Sequence, residues 1–437
     1  MSYTTVIDSY APILDRVLSY KKILVTSCFI LVFFLTLYGI LIYKLVFFLN
    51  TPWGWAPAIY SLLTGAFLLS RFAIVLFYTD HHTTKYKKKD YPQISVVIAC
   101  KNEEDSIFKT IETCMQSDYP SSLECIVVDD GSTDKTYEAM ERAKKAFKGV
   151  ELIKFEQNRG KREGMAEGIL VAKNEVIVFV DSDSFVKKDA IRIIAEHFMK
   201  DPKVGAVSGN SKVENIDVNA LTKMQSARYG VSFDIFKACE GVFGTVTCCP
   251  GCFSAYRTSA IKEVLDAWRN QMFLGTRSTF GDDRSLTNHI LKNWKVEYCT
   301  TAEATTIVPE QFKKFFKQQL RWKKSWIREG SNAAKFIWKK HPIASLSFYT
   351  NLLIPIFGPF IVGYVLYYGL IVHKELPLVY FGGLTAMSVL FGAFYYIRGQ
   401  NKYWWYVVLF TWLYSIILIW QMPYALLKLR DTKWGTR

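Results

Sequence analysis

VIVFVDSDS, residues 176–184, is a short apolar run rich in β-branched residues that ends in two carboxylates. Such a run without internal charge predicts a strand buried on both faces, as in parallel sheets. LECIVVDDGS, residues 123–132, repeats the arrangement with Asp129 and Asp130. Because helical patterns separate such strands across residues 94–209, the sequence predicts a parallel α/β sheet.

The two acidic clusters lie where sheets of this kind bind ligands, at the carboxyl ends of the strands. Asp181 and Asp183 are one residue apart, so on an extended backbone they face the same way. Their oxygens suit Mg²⁺ or Mn²⁺ bridged to a substrate phosphate, and an ordinary acidic turn is the alternative. A nicotinamide-binding domain is disfavoured because ACKNEE, residues 99–104, replaces the required GxGxxG.

A third acidic cluster, GDDR at residues 281–284, stands in a polar context before a helical pattern. One of its carboxylates is a candidate general base, and a salt bridge to Arg284 is the alternative. Lys161 and Arg162 lie where another helix is predicted to begin, a position suited to phosphate contact or to plain solvation.

Five apolar runs predict membrane helices on both sides of the α/β region. They cover residues 23–43, 56–78, 343–372, 378–397 and 403–427. Lysines precede the first run at 21–22 and follow the second at 85–89, which places the domain between residues 80 and 340 in the cytosol. Pro423 interrupts the last run and the tail after it is basic, so we expect this run to enter the membrane without crossing it.

Composition limits the partners of the chain. Half of its 437 residues are hydrophobic and the formal net charge is +15. Many basic residues adjoin the apolar runs, which indicates anionic lipid rather than nucleic acid as the partner. The nine cysteines follow no disulfide framework, and CCPGC at 248–252 lacks the second half of a zinc site, so we expect a loop that lines a pocket.

KQQLRWKKSW, residues 317–326, places Gln318, Arg321 and Trp322 on one turn of a basic, aromatic helix shortly before an apolar run. Arg, Lys and Trp are typical of the interface between water and lipid. The helix is therefore either an anchor alone or a surface helix that also contributes to a substrate site.

In chain order, DDG, DSD, GDDR and QQLRW resemble the motifs of processive family-2 glycosyltransferases, and the resemblance covers residues from about 20 to 437. The chain looks most like the hyaluronan synthases, followed by the chitin synthases and the nodulation N-acetylglucosaminyltransferases. GDDR and the tail WGTR, residues 434–437, favour the hyaluronan synthases. CCPGCFSAYR, residues 248–257, is at least as similar to the chitin-oligosaccharide enzymes.

This resemblance implies an α/β GT-A (Rossmann-like) cytosolic domain inserted in an α-helical multi-pass domain of the cell membrane, with interfacial helices. The implied regions are a transmembrane hairpin at 1–79, the GT-A domain at 80–310, interfacial amphipathic helices at 311–341, and a membrane and channel region with a cytosolic tail at 342–437.

The resemblance further implies a processive inverting enzyme that makes and secretes a β-linked polysaccharide, namely hyaluronan from UDP-GlcNAc and UDP-GlcA. The alternative is a chitin or chito-oligosaccharide synthase that uses UDP-GlcNAc only. The expected partners are these donors, the growing polysaccharide and membrane lipid, with no nucleic acid. A single-addition transferase would not need QxxRW, and a transporter would not need the acidic insert.

Roles for individual residues also follow from the resemblance. Asp283 is the expected base and Asp183 the expected ligand of Mg²⁺ or Mn²⁺. The expected substrate-binding residues are Asp129 or Asp130 for uridine, Lys161 and Arg321 for the charge on UDP, Trp322 for the acceptor sugar, Trp434 and Arg437 for closure over the diphosphate, and Asp181, Asp282 and Gln318 beside them.

Overall fold

The computed structural model describes residues 54–80, 86–399 and 402–431, with isolated positions before residue 54. Most of the first predicted membrane run, at 23–43, lies outside the described residues, as do Trp434 and Arg437.

The described residues form the strands β1 (Ile94–Cys100), β2 (Leu123–Asp129), β3 (Val150–Lys154), β4 (Val176–Phe179), β5 (Ser184–Val186), β6 (Val204–Val213), β7 (Ser254–Arg257), β8 (Met272–Phe273), β9 (Thr276–Arg277) and β10 (Lys295–Thr306). β8 and β9 form a separate hairpin, and the other eight strands form one sheet in the order β3-β2-β1-β4-β7-β6-β10-β5. Neighbours among β1 to β4 are parallel, and so are β6 and β10.

The prediction of a parallel sheet is wrong for two strands. β7 runs antiparallel to both β4 and β6, and β5 runs antiparallel to β10, so the sheet is mixed. β7 has only four residues and follows a loop rather than a crossover helix. Hydrophobic pattern marks a strand but not its direction, and the connection that sets direction lies outside the strand.

Helices cover both faces of the sheet and enclose two apolar cores. One face carries Ile107–Met115, Thr136–Ala146 and Ala190–Lys200, and the other carries Lys161–Val171, Thr258–Arg269 and Asp282–Leu291. The other α-helices in the three described ranges are Trp55–Val75, Ala220–Val231, Ala238–Val242, Phe312–Ala334, Pro342–Leu366, Leu378–Gly399, Tyr406–Ile416 and Gln421–Leu427. Short 3₁₀ or π segments occur at Lys88–Asp90, Ser232–Lys237, Ile337–Lys339, Tyr367–Val372 and Leu418–Trp420.

Within the described residues, three helices are long and apolar enough to cross a membrane: Trp55–Val75, Pro342–Val372 and Leu378–Arg398. The last apolar run instead consists of Tyr406–Ile416 and Leu418–Leu427, which meet at 44°. Such a bend suits a broken span or a re-entrant loop, so entry without crossing stays a prediction. The break falls before Pro423, not at it.

Phe312–Ala334, called the QQLRW helix below, carries the motif of residues 318–322. Its Ile327 packs against Met422 and Ala425 of the bent segment. The helix therefore connects the α/β domain to the C-terminal apolar region.

Candidate active site

β2 and β4 lie on either side of β1, so their carboxyl ends bring two acidic clusters to one edge of the sheet. Asp129, the last residue of β2, is fully buried, and its Oδ1 accepts a hydrogen bond from the Ser132 amide at 3.0 Å. Its Oδ2 is buried with no hydrogen-bond partner among the described residues. Asp129 therefore shapes the turn after β2 and keeps one oxygen for a further donor.

Asp130 holds the segment that leads into the next helix. Its carboxylate accepts hydrogen bonds from the amides of Arg159 at 2.6 Å and Gly160 at 3.0 Å. Burial raises the pKa of Asp130 above its ordinary value, although these amides favour the charged form. Gly131, at φ +68°, lies so close to this segment that a methyl group there would be 2.8 Å from the Gln157 backbone. Asp130 and Gly131 thus fix the backbone beside the predicted uridine site.

Lys161, the first residue of its helix, forms an ion pair with Asp181. Burial opposes the charge on Lys161, but attraction by Asp181, with a further contribution from Asp283, raises its pKa above the ordinary value. Gly251 of the CCPGC loop covers this pair, because a methyl group there would lie 2.7 Å from Asp181 Oδ1 and 3.1 Å from Lys161 Nζ. A larger residue there would displace the ends of both side chains, so the loop and the acidic cluster form one site.

Asp181 and Asp183 do not lie on an extended strand, contrary to the prediction. β4 ends before them, and the DSD segment is a turn in which the Ser184 amide donates to the Asp181 carbonyl at 3.0 Å. Asp181 meets Lys161, whereas Asp183 Oδ1 lies 3.5 Å from the Thr306 hydroxyl. The turn therefore gives the two carboxylates different neighbours.

Asp183 and Asp181 fit a divalent ion that also binds phosphate. Both offer carboxylate oxygens, the ligands that Mg²⁺ and Mn²⁺ prefer, and Asp183 is only half-buried. Mg²⁺ is usually held by one or two carboxylates together with water and substrate phosphates. The residues present therefore suit a metal shared with a diphosphate.

The two carboxylates of the GDDR segment differ in how far they are buried. Asp282 is buried and forms a 2.7 Å ion pair with Arg162. Asp283 is half-buried; its Oδ1 accepts from the Arg284 amide at 2.8 Å, and its Oδ2 lies 3.8 Å from the Cys248 sulfur. Asp283 is therefore the more accessible acid, while Asp282 holds the start of the helix.

The neighbouring thiol does not compete with Asp283 as a base. Burial, reinforced by the charge of Asp283, raises the pKa of Cys248 to about 11. The thiol is therefore neutral near pH 7, which leaves Asp283 as the candidate base at this position.

The GDDR segment also packs directly on the QQLRW helix. Gly281 adopts φ +74°, and a methyl group there would overlap the Ser325 hydroxyl. Arg328 donates to the Phe280 carbonyl from the next turn of the helix. These contacts join the segment that carries Asp283 to the helix that carries the predicted acceptor residues.

Trp322 is half-buried beside a cation that sequence reasoning did not identify. The Arg228 guanidinium carbon lies 5.2 Å from the Trp322 ring centre and 5.4 Å from that of Phe410. Arg228 also donates to Gln319 Oε1 at 2.7 Å. This arrangement fixes the indole from one side by cation–π contact.

Gln318 lies one turn before Trp322 and Arg321 directly precedes it, and both are half-buried. Gln318 Oε1 is buried with no hydrogen-bond partner in the described part of the chain. The structure thus brings together the side chains of Asp181, Asp183, Lys161 and Asp283. The helix that carries Gln318, Arg321 and Trp322 contacts the Asp283 segment where Ser325 meets Gly281.

Arg162 and Gly251 are further positions whose roles the sequence did not reveal. Arg162 was a candidate for phosphate contact or solvation, yet it is buried against a carboxylate 120 residues away. Gly251 belongs to a loop that was predicted to line a pocket, but its closeness to Lys161 depends on tertiary packing.

Comparison with known proteins shows that the chain is similar to glycosyltransferases. Residues 95–265 match the glycosyl transferase family 2 model. The chain is 28% identical over 433 residues to a hyaluronan synthase of Streptococcus pyogenes, covering 96% of this chain and 98% of that one. It is also 29% identical over 394 residues to an N-acetylglucosaminyltransferase of Azorhizobium caulinodans, covering 87% and 97% of the two chains.

The fold has a counterpart among solved structures. The mannosyltransferase PcManGT from Pyrobaculum calidifontis, solved in complex with GDP-Man and Mn²⁺, superimposes with a TM-score of 0.54 at 17% identity. The match covers 83% of this chain and 99% of that one. This similarity shows the GT-A fold of the sheet and its helices.

Proposed function

We propose that this chain, a glycosyltransferase with a family 2 domain on a GT-A fold, is a processive, inverting enzyme that makes and secretes a β-linked polysaccharide. The proposed product is hyaluronan, made from UDP-GlcNAc and UDP-GlcA. The contact between the GDDR segment and the QQLRW helix carries the proposal, because it joins a half-buried carboxylate to an aromatic platform. Similarity along nearly the whole length of a hyaluronan synthase supports the product.

The donor is proposed to bind across the carboxyl ends of β2 and β4. Asp129 or Asp130 contacts the uridine, and Asp183, with Asp181 beside it, holds Mg²⁺ or Mn²⁺. The metal, when bound, neutralises charge on the diphosphate. Lys161 and Arg321 add positive charge toward the leaving UDP, which favours departure of the diphosphate.

Asp283 is proposed to be the general base. The acceptor hydroxyl oxygen forms a bond to the anomeric carbon while the bond from that carbon to the UDP oxygen breaks, and its electron pair leaves with UDP. The hydroxyl proton passes to Asp283. Direct displacement inverts the anomeric centre and gives a β-linkage. Asp282 acts indirectly, since its ion pair with Arg162 fixes the backbone next to Asp283.

The acceptor sugar is proposed to stack on Trp322, with Gln318 on the same turn. A sugar ring presents C–H groups on its face, and an indole provides a matching apolar surface. Arg228 holds the indole from the other side and so positions the platform.

The apolar helices are proposed to place the catalytic domain at the cytosolic face of the cell membrane and to form the exit path for the polymer. Trp434 and Arg437, which lie outside the described residues, are proposed to close over the diphosphate. The exposed lysines of the QQLRW helix, Lys313, Lys314 and Lys317, face the lipid boundary in this arrangement.

The alternative product is chitin or a chito-oligosaccharide made from UDP-GlcNAc only, which the similarity to an N-acetylglucosaminyltransferase favours. Membranes that contain the protein are given UDP-GlcNAc, UDP-GlcA, or both, and product length is measured. We expect long polymer only with both donors, and we expect hyaluronidase to degrade it. Chitinase-sensitive polymer from UDP-GlcNAc alone would assign the alternative, and addition of a single sugar would refute processivity.

A further inference from the structure

Three side chains with metal-binding groups meet where the first described membrane helix joins the catalytic domain. Asp80 follows Trp55–Val75, His197 lies in the helix Ala190–Lys200, and Cys299 lies on β10. The ligand atoms of the three residues all lie within 4.8 Å of one another. His197 and Cys299 are buried, so this is not a chance cluster of surface acids.

A fourth residue orients the imidazole of this cluster. Glu297 Oε2 lies 2.7 Å from His197 Nδ1. A carboxylate accepts hydrogen bonds only, so it fixes the proton on Nδ1 and makes Nε2 the nitrogen with a lone pair. A carboxylate behind a histidine in this way is typical of zinc sites, where it sets the ring orientation and raises ligand basicity.

The backbone around the cluster is also held in place. The Thr301 amide donates to Asp80 Oδ2 at 2.9 Å. The Tyr78 hydroxyl donates to the Tyr298 carbonyl at 2.8 Å. The chain that leaves the membrane helix is therefore attached to β10 on both sides of the cluster.

We propose that Asp80, His197 and Cys299 bind one zinc ion that ties the membrane helix to the catalytic domain. A thiolate, an imidazole and a carboxylate are ligands that zinc accepts together, and a water molecule would complete tetrahedral coordination. Bonds of about 2.0–2.3 Å place zinc ligands roughly 3.5 Å apart, so side-chain movement of about 1 Å closes the site. On binding, Cys299 releases its thiol proton to solvent.

This site is separate from the proposed donor metal. Asp183 contacts Thr306, seven residues beyond Cys299 on β10, which corresponds to roughly 20 Å along a strand. The two sites also differ in chemistry, since the thiolate and imidazole favour zinc while the DSD carboxylates favour Mg²⁺ or Mn²⁺. The zinc proposal therefore does not depend on the proposed reaction.

The test measures bound metal in the full-length protein, purified without chelator in a buffer that contains Mg²⁺. We expect about one zinc per chain by elemental analysis. Cys299→Ser and His197→Gln should each lose most of it. Cys125→Ser is the matched control, because Cys125 is a fully buried strand cysteine outside the cluster and should keep its zinc.

Cobalt substitution gives a second readout at the same site. Protein loaded with Co²⁺ should show a thiolate-to-cobalt charge-transfer band that Cys125→Ser retains and Cys299→Ser lacks. Glu297→Gln, which leaves all three ligands in place, should weaken zinc affinity about 10- to 100-fold. Wild-type protein that holds no zinc, either as purified or after incubation with Zn²⁺ and desalting, would overturn the proposal even if the ligand variants fail to fold. Zinc content unchanged in folded ligand variants would overturn it as well.

Discussion

Gly281 of the GDDR segment lies against Ser325 of the QQLRW helix so closely that a methyl group at Gly281 would overlap the serine hydroxyl. Gly281 also has φ +74°, where a side chain costs about 1–2 kcal/mol. The contact sets the position of Asp283 relative to Trp322, so it couples the proposed base to the proposed acceptor platform.

Gly281→Ala is expected to lower turnover by at least about tenfold, a change of about 1.4 kcal/mol in the barrier, while UDP affinity changes little. Gly275→Ala is the matched control, because Gly275 has φ +80° but open space around it. Adding Ser325→Gly to Gly281→Ala should recover part of the turnover. Equal losses in the two single glycine variants would show that backbone strain, not the contact, is responsible.

Asp282→Asn is expected to destabilise the protein by about 3–5 kcal/mol, because it leaves the buried Arg162 guanidinium without its counter-charge. The melting temperature in detergent should fall by roughly 10 °C. Glu303→Gln, which breaks the more exposed pair with Lys187, should cost only about 0–1 kcal/mol. A melting temperature of Asp282→Asn equal to that of the control would mean that the buried pair does not hold the GDDR segment.

Trp322→Ala is expected to raise the acceptor KM about tenfold, since loss of a stacking surface costs on the order of 1 kcal/mol, while UDP affinity stays nearly constant. Trp322→Phe should recover part of the effect. Trp338→Ala serves as the control, because that indole is 61% exposed on a neighbouring segment. If Trp322→Ala weakened UDP and acceptor binding equally, the residue would be a structural anchor.

Lys323 of the QQLRW helix makes stability depend on pH. Its ammonium is buried and donates to the Leu418 carbonyl and to Gln421 Oε1. Burial, with added repulsion from Arg228, lowers the pKa of Lys323 to about 7. An unfolded lysine titrates near 10.4, so between these values the unfolded chain binds more protons and stability rises with pH.

The melting temperature is therefore expected to increase from pH 7 to pH 9 more steeply in the wild type than in Lys323→Met. The difference corresponds to at most about 1.4 kcal/mol per pH unit. The penalty for burying the charge is fully present below pH 7 and disappears as the pH rises toward 10. Identical pH profiles for the two proteins would show that Lys323 stays charged in the fold.

Local sequence pattern predicted most strands and helices because their apolar residues recur at the right period. It also predicted that DDG and DSD would share one edge of the sheet, which the positions of β2 and β4 on either side of β1 confirm. The direction of β7 could not be predicted, because a four-residue strand has no directional signal. The DSD turn could not be predicted either, since β4 ends two residues before Asp181.

Side-chain contacts between residues that are far apart in the sequence could not be predicted either. Arg162 and Asp282 are 120 positions apart, and only the packed helices show that they pair. Arg228 belongs to no motif, and its contact with Trp322 depends on the approach of two helices. The roles proposed for Asp283 and Asp183 rest on motif resemblance together with their exposure, and they stay predictions.

Asp283→Asn keeps the shape of the side chain but removes its basicity. A positioned general base contributes about 10²- to 10⁴-fold to a rate, so turnover is expected to fall by at least this factor. Asp183→Asn is the matched variant, because it should weaken metal and UDP binding instead. Both residues are half-buried, so neither change should unfold the protein.

The most direct test of the account measures UDP affinity and turnover on the same purified Asp283→Asn protein. We expect turnover to fall about 10²- to 10⁴-fold or more while UDP affinity and melting temperature stay close to those of the wild type. The contrary result is a folded Asp283→Asn enzyme that keeps most of its turnover but loses UDP affinity and stability together. That outcome would make Asp283 a residue that holds the loop rather than the base.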